Sequence, residues 1–330
     1  MISRRNQRRL VGWFLLVMIF LCANYFFKEK ILSIQVFNKQ TPGDFENVAN
    51  KRNAQNDDVA NFAKSPLVKN ARSSIVVYNR APKCGSRSMM YVISELAVRN
   101  NFTDYESRNY SARKLEGEEL QHQVDKIASL RPPVIYNRHL NFIDFRKYGY
   151  KQPIYINLIR DPLSRFVSHY NYMKYGDEVV ERKMPEGLKE NINDCVMLNH
   201  YICRVHLAIY EWIFFCGMEN TCNVNTVYRE KRFEIIKEHI EKEYLIIGIS
   251  EEFENSLKLF EILLPEYFTG ASDIWKRHNE TRSKTATKKH DILTEEAENK
   301  MRNVNLVDSY RLYNIVKKKF NQLKEKYGIK

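Results

Sequence analysis

Ser74-Ile-Val-Val-Tyr78-Asn-Arg80-Ala-Pro-Lys83-Cys84-Gly85-Ser86-Arg87-Ser88 begins as an unbroken apolar run and ends as a basic loop with one glycine. Such a run, without alternation, reads as a strand buried on both faces of a parallel sheet. From Ser86 to Arg99 apolar residues recur at Met89, Val92, Ile93 and Leu96, which is helical spacing. Glu95 and Arg99 are placed for an i,i+4 pair on that helix. The pattern then repeats. Pro133–Tyr136 and Pro153–Ile159 are strand-like, and the second runs straight into Arg160-Asp161-Pro162, where Asp161 suits a helix cap and Pro162 its first turn. Tyr244–Ile249 is another buried-type strand before an acidic helix start at Glu251, and a last long helix is expected from about Thr294 towards Tyr327. Strands alternating with helices predict an α/β fold, a central parallel sheet flanked by helices.

Ahead of this body the composition changes twice. Leu10–Phe27 carries no charge and is long enough to approach a bilayer's thickness. Arg4, Arg5, Arg8 and Arg9 precede it, so a type II signal anchor is expected, with a cytosolic tail 1–9, a transmembrane helix 10–27, a polar stem 28–72 and a lumenal domain 73–330. A cleaved signal peptide fits less well, because Ala23 is followed by bulky Tyr25, Phe26 and Phe27. The short span suits the thinner membranes of the early secretory pathway better than the plasma membrane, and a Golgi location is expected. Asn101-Phe-Thr, Asn109-Tyr-Ser and Asn279-Glu-Thr are glycosylation acceptors consistent with a lumenal body. Cys195, Cys203, Cys216 and Cys222 cluster, which in an oxidising lumen reads as two disulfides; the sequence leaves three pairings open. A zinc site is disfavoured because no CxxC pair is present. The net charge of +13 calls for an acidic partner: nucleic acid, anionic lipid or an acidic polysaccharide.

Ligands of α/β sheets bind at the carboxyl ends of strands, where helix N-termini offer free amides. Two junctions suit an anion. In the first, Gly85 permits a tight turn, Ser86 and Ser88 offer hydroxyls and amides, Lys83 a mobile charge and Arg87 a forked donor. The GxxxxGK[ST] frame of a Walker loop is missing. In the second, Arg160 ends a strand and Ser168 lies two turns into the following helix. Together they imply a ligand with two separated phosphates.

The pair PKxGSxS (Pro82–Ser88) and IRDPxxRxxS (Ile159–Ser168) resembles the sulfotransferases that use 3′-phosphoadenosine 5′-phosphosulfate. Over the body from about Ile75 onward the chain is more closely similar to the uronyl 2-O-sulfotransferases, relatives of heparan sulfate 2-O-sulfotransferase. Tyr78–Ser88, Arg138–Gly149, Gln152–Pro162, Ile213–Gly217 and Gly248–Glu254 carry the likeness. It implies a P-loop-like sulfotransferase fold and sulfation of uronic acid 2-hydroxyls in an anionic glycosaminoglycan rather than binding of nucleic acid. Cys84-Gly-Ser-Arg87 tips the acceptor towards dermatan and chondroitin sulfate, with heparan sulfate the alternative. By this resemblance Lys83, Cys84, Gly85, Ser86, Arg87 and Ser88 hold the 5′-phosphosulfate and Arg160 and Ser168 the 3′-phosphate. Thr285 and Lys288, in the run Arg282–Lys289, belong to a loop over the nucleotide. His139 falls at the catalytic base; the heparan enzymes carry a second histidine two positions earlier, where this chain has Asn137. The same resemblance implies the pairings Cys195–Cys203 and Cys216–Cys222, no metal, and a homotrimer.

Acceptor contacts are expected from Arg80, Arg165, Lys174, Arg182, Lys183 and the Arg282–Lys289 run. Two rival classes stand beside this reading. A nucleotide-hydrolysing or kinase-like enzyme would need a Walker frame and a metal-binding acidic pair at a strand end. A catalytically inactive polysaccharide-binding protein would have no need of Lys83, Arg160, Ser168 and His139.

Overall fold

The computed structural model describes residues 74–107, 114–176, 188–203, 211–223, 226–278 and 291–330. Among these, β1 (Ile75–Tyr78), β2 (Thr103–Glu106), β3 (Val134–Asn137), β4 (Ile154–Ile159) and β5 (Tyr244–Ile249) form one sheet in the order β2-β3-β1-β4-β5. Every pairing is parallel. β3, β4 and β5 are buried at each position, which is what helices on both faces impose on a continuous apolar run.

The larger helices are α1 (Ser86–Asn100), α2 (Gly117–Ala128), α3 (Pro162–Tyr175), α4 (Arg229–Lys242), α5 (Phe253–Leu263), α6 (Ala271–Arg277) and α7 (Val307–Lys326). α1 buries Met89, Val92, Ile93 and Leu96, the stripe read from its spacing. α3 starts at Pro162 with the Asp161 carboxylate accepting from the Ser164 amide at 2.9 Å.

The chain leaves β1 towards the β3–β2 side of the sheet and leaves β4 towards β5, on the opposite side. Adjacent strands whose following connections diverge open a crevice at their carboxyl ends. The loops after β1 and β4 form its two rims.

The long C-terminal helix expected from Thr294 is interrupted. Glu295–Lys300 is a short helix, Met301–Asn305 a wide π-type turn, and α7 begins at Val307. Met301 and Leu306 are both buried in one apolar cluster with Leu163, Phe166 and Tyr170 of α3. Five positions apart on a regular α-helix they would point to different sides; the wider turn, closed by the Leu306 amide on the Met301 carbonyl at 2.8 Å, brings them to the same side. Disulfides join Cys195 to Cys203 and Cys216 to Cys222.

No helix among the described residues is long and apolar enough to cross a membrane. The anchor 10–27, the stem, Asn109, Asn279, Thr285 and Lys288 lie outside the described residues.

Candidate active site

The first rim starts at the floor. Asn79, fully buried just past β1, donates to the Phe214 carbonyl at 2.9 Å and the Tyr244 hydroxyl at 2.7 Å. Asn157, in the middle of β4, donates to the Asn79 carbonyl at 2.7 Å. These amides fix the direction in which the loop departs. The backbone then turns through two left-handed residues, Lys83 (φ 63°) and Gly85 (φ 79°). Such a conformation costs a lysine on the order of 1–3 kcal/mol and concentrates at ligand-gripping sites. Gly85 is the N-cap of α1, and neither a capping side chain nor a first-turn acid meets the leading amides of Ser86, Arg87 and Ser88. An uncapped helix start of this kind presents donors and a positive dipole end to an anion.

Lys83 Nζ lies 4.0 Å from the centre of the Tyr172 ring and the Arg87 guanidinium 5.8 Å from it. Tyr172 belongs to α3, so a ring one turn beyond the second motif supports the two cations of the first. Cys84, between Lys83 and Gly85, points the other way. Its thiol is fully buried, burial pushes its pKa far up, and its carbonyl accepts from the Ser250 hydroxyl at 2.6 Å. Its part in the loop is backbone geometry, and a neutral buried thiol has no means of meeting an anion.

On the second rim Arg160 ends β4 with its side chain about one third exposed, its Nε 3.7 Å from Glu251 Oε1. The same oxygen accepts from the Asp161 amide at 3.1 Å. Ser168 is half-buried on α3.

His139 sits just past β3, on the other side of β1. Its Nδ1 is 2.8 Å from the Arg80 carbonyl oxygen. A carbonyl only accepts, so Nδ1 carries the proton and Nε2 keeps the lone pair. Burial, aided by the nearby Arg80 charge and opposed by the Arg80 carbonyl, lowers the imidazole pKa to about 4. The ring is therefore neutral at any pH near neutrality. Asn137, where a second histidine stands in the heparan relatives, is fully buried and donates to the Asp104 carboxylate of β2 at 2.9 Å.

Two expected acceptor contacts are turned inward. Arg165 is 0% exposed and ion-paired with buried Glu211, so it ties α3 to the start of the short helix Trp212–Cys216 instead of facing a crevice. Arg80 is 2% exposed, with its guanidinium on the Glu106 carboxylate at 3.5 Å and on the Met90 sulfur. Both sit beside carboxylates that take up their charge. Lys174 pairs with Asp291 at 2.9 Å. Asn101 is exposed at the C-terminal cap of α1. Tyr172, Ser250 and Glu251 join the site through the fold; in sequence their only signal is the shared segment Gly248–Glu254 and a tyrosine on the expected helix after Arg160.

A model of the sulfotransferase family matches residues 67–320. The chain is 32% identical over 267 residues to the uronyl 2-sulfotransferases of Homo sapiens and Mus musculus, covering 78% of this chain and 65% of each relative. It is 30% identical over 224 residues to heparan sulfate 2-O-sulfotransferase 1 of Mus musculus, covering 65% of this chain and 62% of that protein. It thus spans a little under two thirds of the length of these relatives. The family match runs through both rims of the crevice and through His139 between them, and on this ground the chain belongs to the sulfotransferase family.

Proposed function

We infer that this chain transfers a sulfuryl group from 3′-phosphoadenosine 5′-phosphosulfate to the 2-hydroxyl of a uronic acid residue in a glycosaminoglycan. One observation carries the reading: a neutral imidazole with its free lone pair on Nε2 is held by the carbonyl of Arg80, three residues before Lys83, in the same loop that forms the anion cradle. The residues present suit the donor. Lys83, Arg87 and the open amides of Ser86–Ser88 meet the 5′-phosphosulfate, while Arg160 and Ser168 meet the 3′-phosphate.

His139 Nε2 takes the proton of the sugar hydroxyl as its oxygen bonds to sulfur. The bond from sulfur to the bridging phosphate oxygen breaks, and Lys83 offsets the charge that gathers on that oxygen. Sulfuryl transfer, like phosphoryl transfer, depends chiefly on in-line placement and charge stabilisation, which the two rims supply.

The acceptor is dermatan or chondroitin sulfate, on the strength of the Cys84-Gly-Ser-Arg87 loop and of the similarity to uronyl 2-sulfotransferases. The body is lumenal in the Golgi, borne on the Leu10–Phe27 anchor, glycosylated at Asn101, Asn109 and Asn279, and assembled as a trimer. The first test is donor consumption by the purified chain with desulfated dermatan, chondroitin and heparan acceptors. His139→Ala should lower turnover roughly 10²- to 10⁴-fold, the usual contribution of a placed base, with nucleotide affinity retained. Turnover surviving in that variant would overturn the assignment of the base, and preference for heparan would overturn that of the acceptor.

A further inference from the structure

We propose that Ser250 and Glu251, at the end of β5, are positioning residues that hold the two anion-binding rims in register, Glu251 serving the 3′-phosphate side and Ser250 the 5′ side. The inference rests on the reading of Arg160 and the Lys83–Ser88 loop given above.

β5 lies beside β4, two strands from β1, yet the short helical turn Ser250–Glu252 that follows it reaches both rims. The Ser250 hydroxyl donates to the Cys84 carbonyl at 2.6 Å, inside the first cradle. The approach is close: a Cβ on Gly85 would lie 3.2 Å from Ser250 Oγ and 3.3 Å from a Leu158 methyl of β4. One residue on, Glu251 Oε1 accepts from the Asp161 amide at 3.1 Å and faces Arg160 Nε at 3.7 Å. Glu251 is the ion-pair partner of Arg160 among the described residues. A carboxylate on the Nε edge orients the guanidinium while leaving the outer Nη fork for a ligand, the arrangement in which arginine grips phosphate. Glu252, next in line, is ion-paired with Lys324 of α7, so the dipeptide is itself anchored from behind.

Two neighbouring residues thus set two rims that come from different parts of the chain. The chemistry predicts a division of labour. Loss of the Glu251 charge leaves Arg160 unoriented and is felt only by nucleotides with a 3′-phosphate. Loss of the Ser250 hydroxyl loosens the Cys84 carbonyl and is felt only by those with a 5′-phosphate.

The experiment is calorimetric binding of adenosine 3′,5′-bisphosphate, adenosine 3′-monophosphate and adenosine 5′-monophosphate to the full chain and to Glu251→Gln, Ser250→Ala and Arg160→Ala. Glutamine keeps an acceptor for the Asp161 amide and removes only the charge. Glu251→Gln should weaken the two 3′-phosphorylated nucleotides roughly threefold, the scale of a partly exposed ion pair, and leave the 5′-monophosphate unchanged. Ser250→Ala should weaken the two 5′-phosphorylated nucleotides and spare the 3′-monophosphate. An equal loss for all three nucleotides, or none, in Glu251→Gln overturns the proposal. If Arg160→Ala discriminates by the 3′-phosphate and Glu251→Gln does not, the positioning role alone fails. If Arg160→Ala does not discriminate either, the reading of the site fails with it.

Discussion

His139 is neutral by burial, and Asp104, which accepts from Asn137 two residues before it, is shifted the other way. Burial and the Glu106 charge push the Asp104 carboxyl up to about 6, against the pull of Asn137 and Arg80. The two groups work against one another as pH falls. His139 titrates near 4 folded and near 6.5 unfolded, so the unfolded chain binds more protons in that window and stability is lost from 6.5 down to 4. Asp104 titrates near 6 folded and 3.8 unfolded, so stability is regained across much of the same range. Asp104→Asn should therefore make thermal unfolding fall more steeply between these pH values than in the parent. Parallel curves of Tm against pH would contradict the raised titration of Asp104. Catalysis gives a second reading: the acid limb of kcat/KM should lie near the folded His139 value of about 4, well below that of a free imidazole. The resemblance points to His139 as the base, but which of its nitrogens carries the proton was not legible in the sequence, because the partner is a main-chain oxygen 59 residues away. Arg80 and Arg165 show the reverse failure. A basic side chain in a loop or on a helix looks the same in sequence whether it meets solvent or a buried carboxylate, and here Glu106 and Glu211 decide.

The elements that carry the rims obey their local signals. Asp161 and Pro162 start α3 as their chemistry demands, and the Met89, Val92, Ile93 and Leu96 stripe of α1 is buried. β2 carries no apolar run in sequence because Thr103-Asp-Tyr-Glu106 lies at the sheet edge, paired among the described residues with β3 alone and half-covered. α3 also depends on a contact with no sequence period, the Arg165–Glu211 pair. Removing one member of a buried pair leaves the other uncompensated, so Arg165→Met should cost about 3–5 kcal/mol in urea unfolding. Arg165→Met combined with Glu211→Gln should recover a large part of that loss, and equal destabilisation in the single and double variants would refute the pairing. At the tip of the first rim, Gly85→Ala would place a side chain at φ 79° against Ser250 and Leu158. Nucleotide affinity should drop, accompanied by about 1–3 kcal/mol of destabilisation; full affinity would mean that the turn does not set the cradle.

Across the chain, the alternation of strand and helix foretold the parallel sheet, and chain order alone could not say that β1 sits between β3 and β4. That placement makes the crevice. The positive charge of +13 belongs to the same level of description, since no single lysine accounts for it. Binding of a polyanionic acceptor should weaken as salt rises from ~0.01 M to ~1 M, where the screening length contracts from about 30 to 3 Å. An acceptor KM insensitive to salt over that range would argue for recognition by neutral contacts instead.

The hydrogen bond from His139 to the Arg80 carbonyl has one more consequence. Many catalytic imidazoles are oriented by a carboxylate, which a single substitution removes and acid unlatches. Here a peptide oxygen does that job. An alanine scan would pass over the orienting partner without registering it, since no side chain supplies it. Only a change in the path of the Asn79–Gly85 loop could release the ring, and that loop is the one we propose to grip the donor.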